Sequence, residues 1–305
     1  MNIASIDLGT NTVLLLIAEI NQSKLTPLLN EYRIPRVGKG LLPGNPIAPD
    51  QINDLYKVLE EYVSIIKKYH CTEVICKATN AFRIASNSQD IIKEAKERYG
   101  LNIEVISGTD EAALSYFGAI SASDSDHNIV IDIGGGSTEI IYGTREKILF
   151  SKSFQAGVVS FTESIFKNDP PSPIEVEMIN EKIRYVFSEL RDAFPQDTSV
   201  IGVAGTPTTL SCIQLDLPAY DEEKIERSKL TIHQLEDFVV LLGKLSSREI
   251  LEEFKDLVKG REDLLLTGTI ILLNLLKIIG TDEIIVSSRG IRFGAILKRL
   301  NEKSI

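Results

Sequence analysis

The sequence predicts an α/β protein of two domains, each with helices packed on a mixed sheet. Three observations carry this expectation. The 305 residues are long for one core and comfortable for two. Two widely separated stretches share one grammar: Ile3 to Asp7-Leu8-Gly9-Thr10-Asn11-Thr12 before Val13, and Ile129 to Asp132-Ile133-Gly134-Gly135-Gly136-Ser137-Thr138-Glu139 before Ile140. After each of them strands come first and helices follow, the order of α/β proteins.

Each shared stretch reads as a strand, a tight glycine turn and a returning strand. Glycine is permitted where a side chain would block the backbone, so such a turn can aim several N–H groups and hydroxyls at one anion. A carboxylate beside it does not bind phosphate directly; Asp7 and Asp132 read instead as holders of a divalent cation or of its water shell. Either turn alone reads equally as a hairpin whose Asp and Thr satisfy the turn backbone. Repetition in one strand context favours a shared role, with two facing copies gripping a phosphate chain across a cleft.

Beyond the first hairpin lies a loop rich in turn formers and positive charge, Arg33 to Gly40 with Arg36 and Lys39, closed by Pro43-Gly44-Asn45-Pro46. Ile52, Leu55, Val58, Leu59, Tyr62, Ile65 and Ile66 recur at helical spacing after Pro49-Asp50 and predict a helix. A strand from Glu73 to Lys77 runs through Ala78-Thr79-Asn80-Ala81-Phe82-Arg83 into a helix start able to face an anion. A helix from Gln89 to Tyr99 stops at Gly100. Ile103 to Ile106 is a strand, and Ser107 opens a helix through Ala119 in which Glu111 reads first as a capping group. The polar run Ser121 to Asn128 reads as the interdomain linker, giving domains 1–124 and 125–305.

The second hairpin gains a third strand around Lys152 to Phe154, and one long helix is predicted from Pro173 to Phe194. Ser199 to Val203 is a strand that turns through Ala204-Gly205-Thr206 into a helix. Amphipathic helices fill Asp221 to Val258, an apolar helix is buried around Ile270 to Ile279, and Arg261 sits just before it. A last strand, Glu283 to Val286, leads through Arg289 and Arg292 into a terminal helix.

Composition bounds the chemistry. With 43% hydrophobic and 25% charged residues the chain is an ordinary globular protein, and a formal net charge of −10 argues against a general duplex nucleic-acid binder. It leaves a polyanionic substrate open, because screening at physiological salt lets local cations decide. No stretch is long and apolar enough for a bilayer span, so no membrane partner is expected, and the N-terminus enters a strand at once rather than reading as a secretory signal. Cys71, Cys76 and Cys212 lack the paired spacing of a zinc site and suit a reduced cytoplasmic protein. His70, His127 and His233 are too few for a multi-histidine metal centre, and no nucleophile elbow supports a serine triad.

Six separated motifs, taken in order, resemble the exopolyphosphatase and guanosine pentaphosphate phosphohydrolase (Ppx/GppA) family: Asp7 to Thr12, Ala78 to Arg83 with Asn87, Val105 to Ala112, Asp132 to Glu139, Gly205-Thr206, and Arg289 to Gly294. The resemblance implies two ribonuclease-H-like domains of the actin-like ATPase superfamily, with mixed sheets flanked by helices and a phosphate-binding cleft between them. It implies that Glu111 activates or orients the attacking water, that Asp132 and Glu139 sit beside Mg²⁺ with Asp7 helping through water, and that Arg83 contacts the phosphate chain. By the same resemblance Thr10, Asn11, Thr12, Gly134, Gly135, Gly136, Ser137, Thr138, Gly205 and Thr206 are substrate-binding. Thr10 and Thr12 stand where serines are common, Asn80 replaces a usual serine, and Glu262 replaces a small residue, which leaves the role of Arg261 open. The longer members carry an extra helical region that these 305 residues do not include, so processive attack on long polyphosphate is not expected.

The implied activity is Mg²⁺-assisted hydrolysis of a terminal phosphoanhydride in polyphosphate or guanosine pentaphosphate, with a homodimer allowed but not required. Two alternatives stay open. A polyphosphate or alarmone sensor would bind without turnover, and a small-molecule kinase of the same superfamily would need an adenosine site and an acceptor pocket that the sequence does not display.

Overall fold

The computed structural model describes residues 1–302 apart from Ser23 and Gln196. Its contacts divide the chain into two compact units, residues 1–118 with 291–305, and residues 119–290. The sequence had assigned the whole of 125–305 to the second domain. The difference lies at the linker, where the boundary falls at 118 rather than 124, and above all in the terminal helix, whose apolar face finds its partners in the first unit.

The first unit begins with β1 (Asn2–Leu8), β2 (Val13–Asn21) and β3 (Lys24–Arg33), continues through α1 (Pro49–Lys68), β4 (Glu73–Ala78), α2 (Asn80–Ile84), α3 (Ser88–Tyr99) and β5 (Ile103–Val105), and reaches α4 (Gly108–Ala119). Its described strands form a sheet in the order β3-β2-β1-β4-β5, antiparallel on the β3 side and parallel from β1 to β5. β1 is central, and from Ile3 to Leu8 it is buried on both faces. That suits a continuous apolar run. Alternation then sends Ala4, Ile6 and Leu8 to one core with Leu55, Leu59 and Tyr62 of α1. Pro49 in the first turn of α1, Asp50 beside it and Lys67 and Lys68 in the last turn give that helix a matched start and stop. Gly100 ends α3 at φ +71°.

The strand β3 is absent from the sequence expectation, which read a loop after the first hairpin. It is an edge strand, largely exposed or half-buried, and it carries Pro27. A register shift between Ile17 and Ala18 of β2 accommodates the proline, which an edge strand tolerates because one row of its amides needs no partner.

The second unit holds β6 (His127–Ile133), β7 (Thr138–Thr144), β8 (Ile148–Phe154), α5 (Val158–Ile165), α6 (Pro173–Val186), β9 (Ser199–Val203), α7 (Gly205–Gln214), α8 (Glu222–Ile225), β10 (Lys229–Thr231), α9 (Ile232–Leu242), α10 (Ser247–Phe254), α11 (Leu265–Ile279) and β11 (Glu283–Val286). Its sheet runs β10-β11-β9-β6-β7-β8, again mixed. Ile129, Ile131, Ile133 and Ile140 face one core with α11, which is buried around its circumference from Leu265 to Leu276. The predicted long helix stops at Val186 and passes through a short 3-10 turn at Ser188–Leu190, because Phe187 leaves helical geometry and is fully buried against Phe154. Two elements here go beyond the sequence reading, α5 and β10.

The chain then returns to the first unit as α12 (Ile291–Glu302). Phe293 and Ile296 pack against Ile3, Leu16, Ala18 and Ile20. Gly294 lies against α4: a Cβ there would stand 1.8 Å from the Leu114 carbonyl oxygen. No helix among the described residues is long and apolar enough to cross a membrane.

Candidate functional site

Both shared stretches fold as predicted hairpin turns, and they close in the same way. Gly9 donates its amide to the Thr12 carbonyl at 3.0 Å, and Gly134 donates to the Ser137 carbonyl at 2.9 Å. A Cβ at these glycines would stand 2.9 and 3.1 Å from those oxygens. In the first unit the turn carbonyls are then taken by the following loop: Gly38 N–H binds the Thr10 carbonyl at 2.7 Å and Arg36 N–H the Asn11 carbonyl at 3.1 Å. In the second unit the first amides of α5 do this work, Val158 on Gly134 at 3.0 Å and Val159 on Gly135 at 2.8 Å.

The consequence follows from the planar trans peptide, whose C=O and the next N–H point in opposite directions. With the carbonyls of Thr10 and Asn11 turned to the loop, the N–H groups of Asn11 and Thr12 point away from it. With those of Gly134 and Gly135 turned to α5, the N–H groups of Gly135 and Gly136 point away from α5. Each turn thus aims two successive amides one way, a concavity suited to an anion. Gly157 permits this in the second unit, since a Cβ there would lie 2.4 Å from the Gly135 carbonyl carbon and oxygen.

Beside the second turn, β6 and β7 place Asp132 directly opposite Glu139. Registered residues share a face, and this is the face opposite Ile131 and Ile140. Asp132 is 8% and Glu139 1% exposed. On β8 the partner of Glu139 is Ser153, whose hydroxyl donates to Glu139 Oε1 at 2.6 Å. Like charges set opposite one another repel, so a cation placed between them would relieve the pair. Among the described residues no group of three or more His, Cys, Asp or Glu side chains has metal-holding geometry. Two adjacent carboxylates do fit Mg²⁺, which keeps several waters and uses one or two carboxylates with substrate phosphates. Asp7 is flanked differently, by Leu14 on β2 and Lys77 on β4, and Lys77 reaches Glu104 at 2.5 Å. Burial pushes the nearby Cys76 thiol up, and the Asp7 charge adds to that, so Cys76 stays protonated and inert.

The first unit also joins two residues that the resemblance gave separate roles. Arg83 Nη1 donates to Glu111 Oε2 at 2.6 Å and to the Ile106 carbonyl at 3.0 Å. Arg83 stands on α2 and Glu111 in the first turn of α4, and Glu111 is 7% exposed. The Thr79 amide on the Leu8 carbonyl, at 3.1 Å, ties the start of α2 to the end of β1. Asn87 is a clamp, accepting from Ile47 N–H at 2.9 Å and donating to the Ile47 carbonyl at 3.0 Å.

Elsewhere the predicted residues divide between loop and scaffold. Thr138 gives its hydroxyl to the Ala156 carbonyl at 2.6 Å, bracing the turn from below. Ser137 is buried, and Thr10 turns its methyl toward Gly38. Gly205 and Thr206 begin α7 after Ala204, which holds a left-handed φ of +72°. Strain of that kind on a non-glycine residue gathers at functional turns. Arg261 Nη1 lies over Gly205, where a Cβ would stand 2.7 Å from it, and donates to Thr209 Oγ1 at 3.2 Å. Arg33 is held by Glu61 and Glu31, whereas Lys39 is exposed. Arg292 is buried and donates to Asn30 Oδ1.

Sequence reasoning passed over Gly157 and the start of α5. Gly157-Val158-Val159 has the look of a strand, and the helix signal there is Ser160, whose hydroxyl accepts from Gly157 N–H at 3.1 Å.

The model of the Ppx/GppA phosphatase family matches residues 16–303. A bifunctional 3-dehydroquinate synthase/phosphatase of Fusobacterium nucleatum is 35% identical over 98% of this chain; the chain spans 47% of that relative's length. Exopolyphosphatase 2 of Mycobacterium tuberculosis is 31% identical over 97% of each chain. Among solved structures, the Ppx/GppA family member of Aquifex aeolicus is 31% identical with a TM-score of 0.85, covering 100% of this chain and 99% of its own. An exopolyphosphatase from Cytophaga hutchinsonii is 27% identical with a TM-score of 0.90, covering 99% and 98%. A family match over nearly the whole described chain, with relatives of 31% identity and the same fold, leads to one conclusion: the chain belongs to the Ppx/GppA phosphatase family.

Proposed function

We propose that the chain hydrolyses the terminal phosphoanhydride of inorganic polyphosphate, with guanosine pentaphosphate as a second substrate of the same chemistry, in the cytoplasm and with Mg²⁺. The observation that carries this is the buried Asp132–Glu139 pair, directly registered beside a glycine turn whose amides point one way. The exopolyphosphatase relatives supply the substrate class, and the three free thiols suit a reducing compartment.

Asp132 and Glu139 would hold the Mg²⁺, which supplies charge neutralisation at phosphoryl oxygens when bound. The outward amides of Gly135 and Gly136 in the second unit, like those of Asn11 and Thr12 in the first, are preorganised donors of the kind that act on phosphoryl charge as it develops. Glu111 orients a water and takes its proton as the water oxygen bonds to the terminal phosphorus. The bridging P–O bond breaks, and its electron pair leaves with the shortened chain. Arg83 keeps Glu111 in place through Nη1 and has Nε and Nη2 to offer a phosphoryl oxygen. No covalent intermediate is needed.

The test is phosphate release from both substrates by native protein and by Glu111→Gln. Loss of a positioned acid–base group predicts a fall in kcat of about 10²- to 10⁴-fold with substrate binding kept. Tight binding of polyphosphate by native protein with no phosphate released at any divalent-metal concentration would instead make the chain a sensor. Equal loss of binding and turnover in Glu111→Gln would reduce Glu111 to a structural residue.

A further inference from the structure

The carboxylate row of the second unit continues onto a third strand. In the order β6-β7-β8 the registered residues are Asp132, Glu139 and Ser153, and in the first unit the same places hold Asp7, Leu14 and Tyr32. The comparison separates what folding requires from what it does not, since an apolar residue suffices at the second place and an aromatic one at the third. A buried Glu is costly to retain where Leu would pack, and a buried charge that does not add stability asks for another reason.

Ser153 supplies the matching observation. It stands half-buried on β8, the edge of the sheet, where serine has no special strand propensity. An ionised carboxylate only accepts hydrogen bonds, so the 2.6 Å contact to Glu139 Oε1 has the Ser153 hydroxyl as donor. A glutamate side chain has three rotatable bonds, and this donor fixes the far end of them. Removing a partner that orients a metal-holding carboxylate typically costs about 10- to 100-fold in metal affinity.

We infer that Ser153 is a positioning residue for divalent-cation binding, acting through Glu139. This rests on the reading of Asp132 and Glu139 given above. The hydroxyl holds one carboxylate oxygen in a fixed plane, so that the acid opposite Asp132 meets the cation already oriented.

The test uses the full chain and Mn²⁺ as the probe, with free Mn²⁺ followed by electron paramagnetic resonance. Ser153→Ala weakens Mn²⁺ binding about tenfold, and Ser153→Thr, which keeps the hydroxyl, restores it to within about twofold of native. Melting of the metal-free protein is measured alongside, and it stays near native in both variants, which a residue needed only for folding would not allow. Mn²⁺ affinity of Ser153→Ala within about twofold of native overturns the inference alone. Native protein that binds no Mn²⁺, or binds it unchanged in Glu139→Gln, overturns the reading of the carboxylate pair and this inference with it.

Discussion

The two glycine turns are close copies in backbone and unlike in what they serve. Both close on a glycine amide and both turn two N–H groups outward, one braced by the loop at Arg36–Gly38 and the other by the first turn of α5. The residue across from the aspartate is Leu14 in one unit and Glu139 in the other, and on its other side Asp7 has Lys77 where Asp132 has Val203. On the proposed reading, the single carboxylate of the first turn asks less of a cation than the two buried carboxylates side by side in the second. The backbone motif is therefore common to both units, and the side chain opposite the aspartate is where they part.

The largest effect expected from this contrast comes from its carboxylates. Glu139→Gln removes Mn²⁺ binding and several kcal/mol of charge stabilisation, a fall in turnover on the order of 10³-fold. Asp7→Asn, whose strand neighbours are Leu14 and Lys77 rather than a second carboxylate, weakens Mn²⁺ binding by no more than about tenfold, the low end of what an outer partner of a metal is worth. Mn²⁺ titration of the two variants decides it, and equal losses would erase the asymmetry.

Next comes the bracing. Gly157→Ala drives a methyl into the Gly135 backbone at 2.4 Å and destabilises the protein by about 1–3 kcal/mol in urea denaturation, with a matching loss of phosphate binding. Gly38→Ala meets the Thr10 methyl at 2.2 Å but the Thr10 backbone oxygen only at 3.2 Å, and costs less. The reverse order would mean that the first turn is the more rigid of the two.

The smallest effect is on pH dependence, and it belongs to the second unit. Donation from Asn168, then from the Ser172 and Lys167 amides and the Ser172 hydroxyl, holds Glu175 down to about 2. A depressed folded value gives stability that is full above the unfolded carboxyl range, about 4.3, and is lost as pH falls toward 2. Melting curves of native protein and Glu175→Gln therefore converge over that window and stay apart above it. A constant gap at all pH values would remove Glu175 from the acid response.

The sequence made the hairpins legible because glycine, alternation and a polar turn are all local. Once the turn at Gly134–Ser137 is assigned, the pairing of Asp132 with Glu139 follows by counting outward from it. The contact between Arg83 and Glu111 does not, because it depends on β4 and β5 bringing α2 and α4 together. The strand β3 was hidden by its polar, proline-bearing edge character, and α5 by the β-branched Val158-Val159 that opens it. The placement of α12 was illegible for a different reason. Its amphipathic pattern shows that one face is buried, and nothing in it says against which sheet.

That last placement bears on how the molecule is made. Gly294 meets the Leu114 backbone one turn beyond Glu111 on α4, and α12 is separated from the rest of its unit by all of residues 119–290. On a ribosome the helix bearing Glu111 emerges early, and 172 residues, counted from 119 to 290 inclusive, are added before α12 follows. Only then does the helix that packs on the Leu114 backbone arrive. A chain cut short before Ile291 therefore lacks the close contact that Gly294 makes with Leu114 on α4.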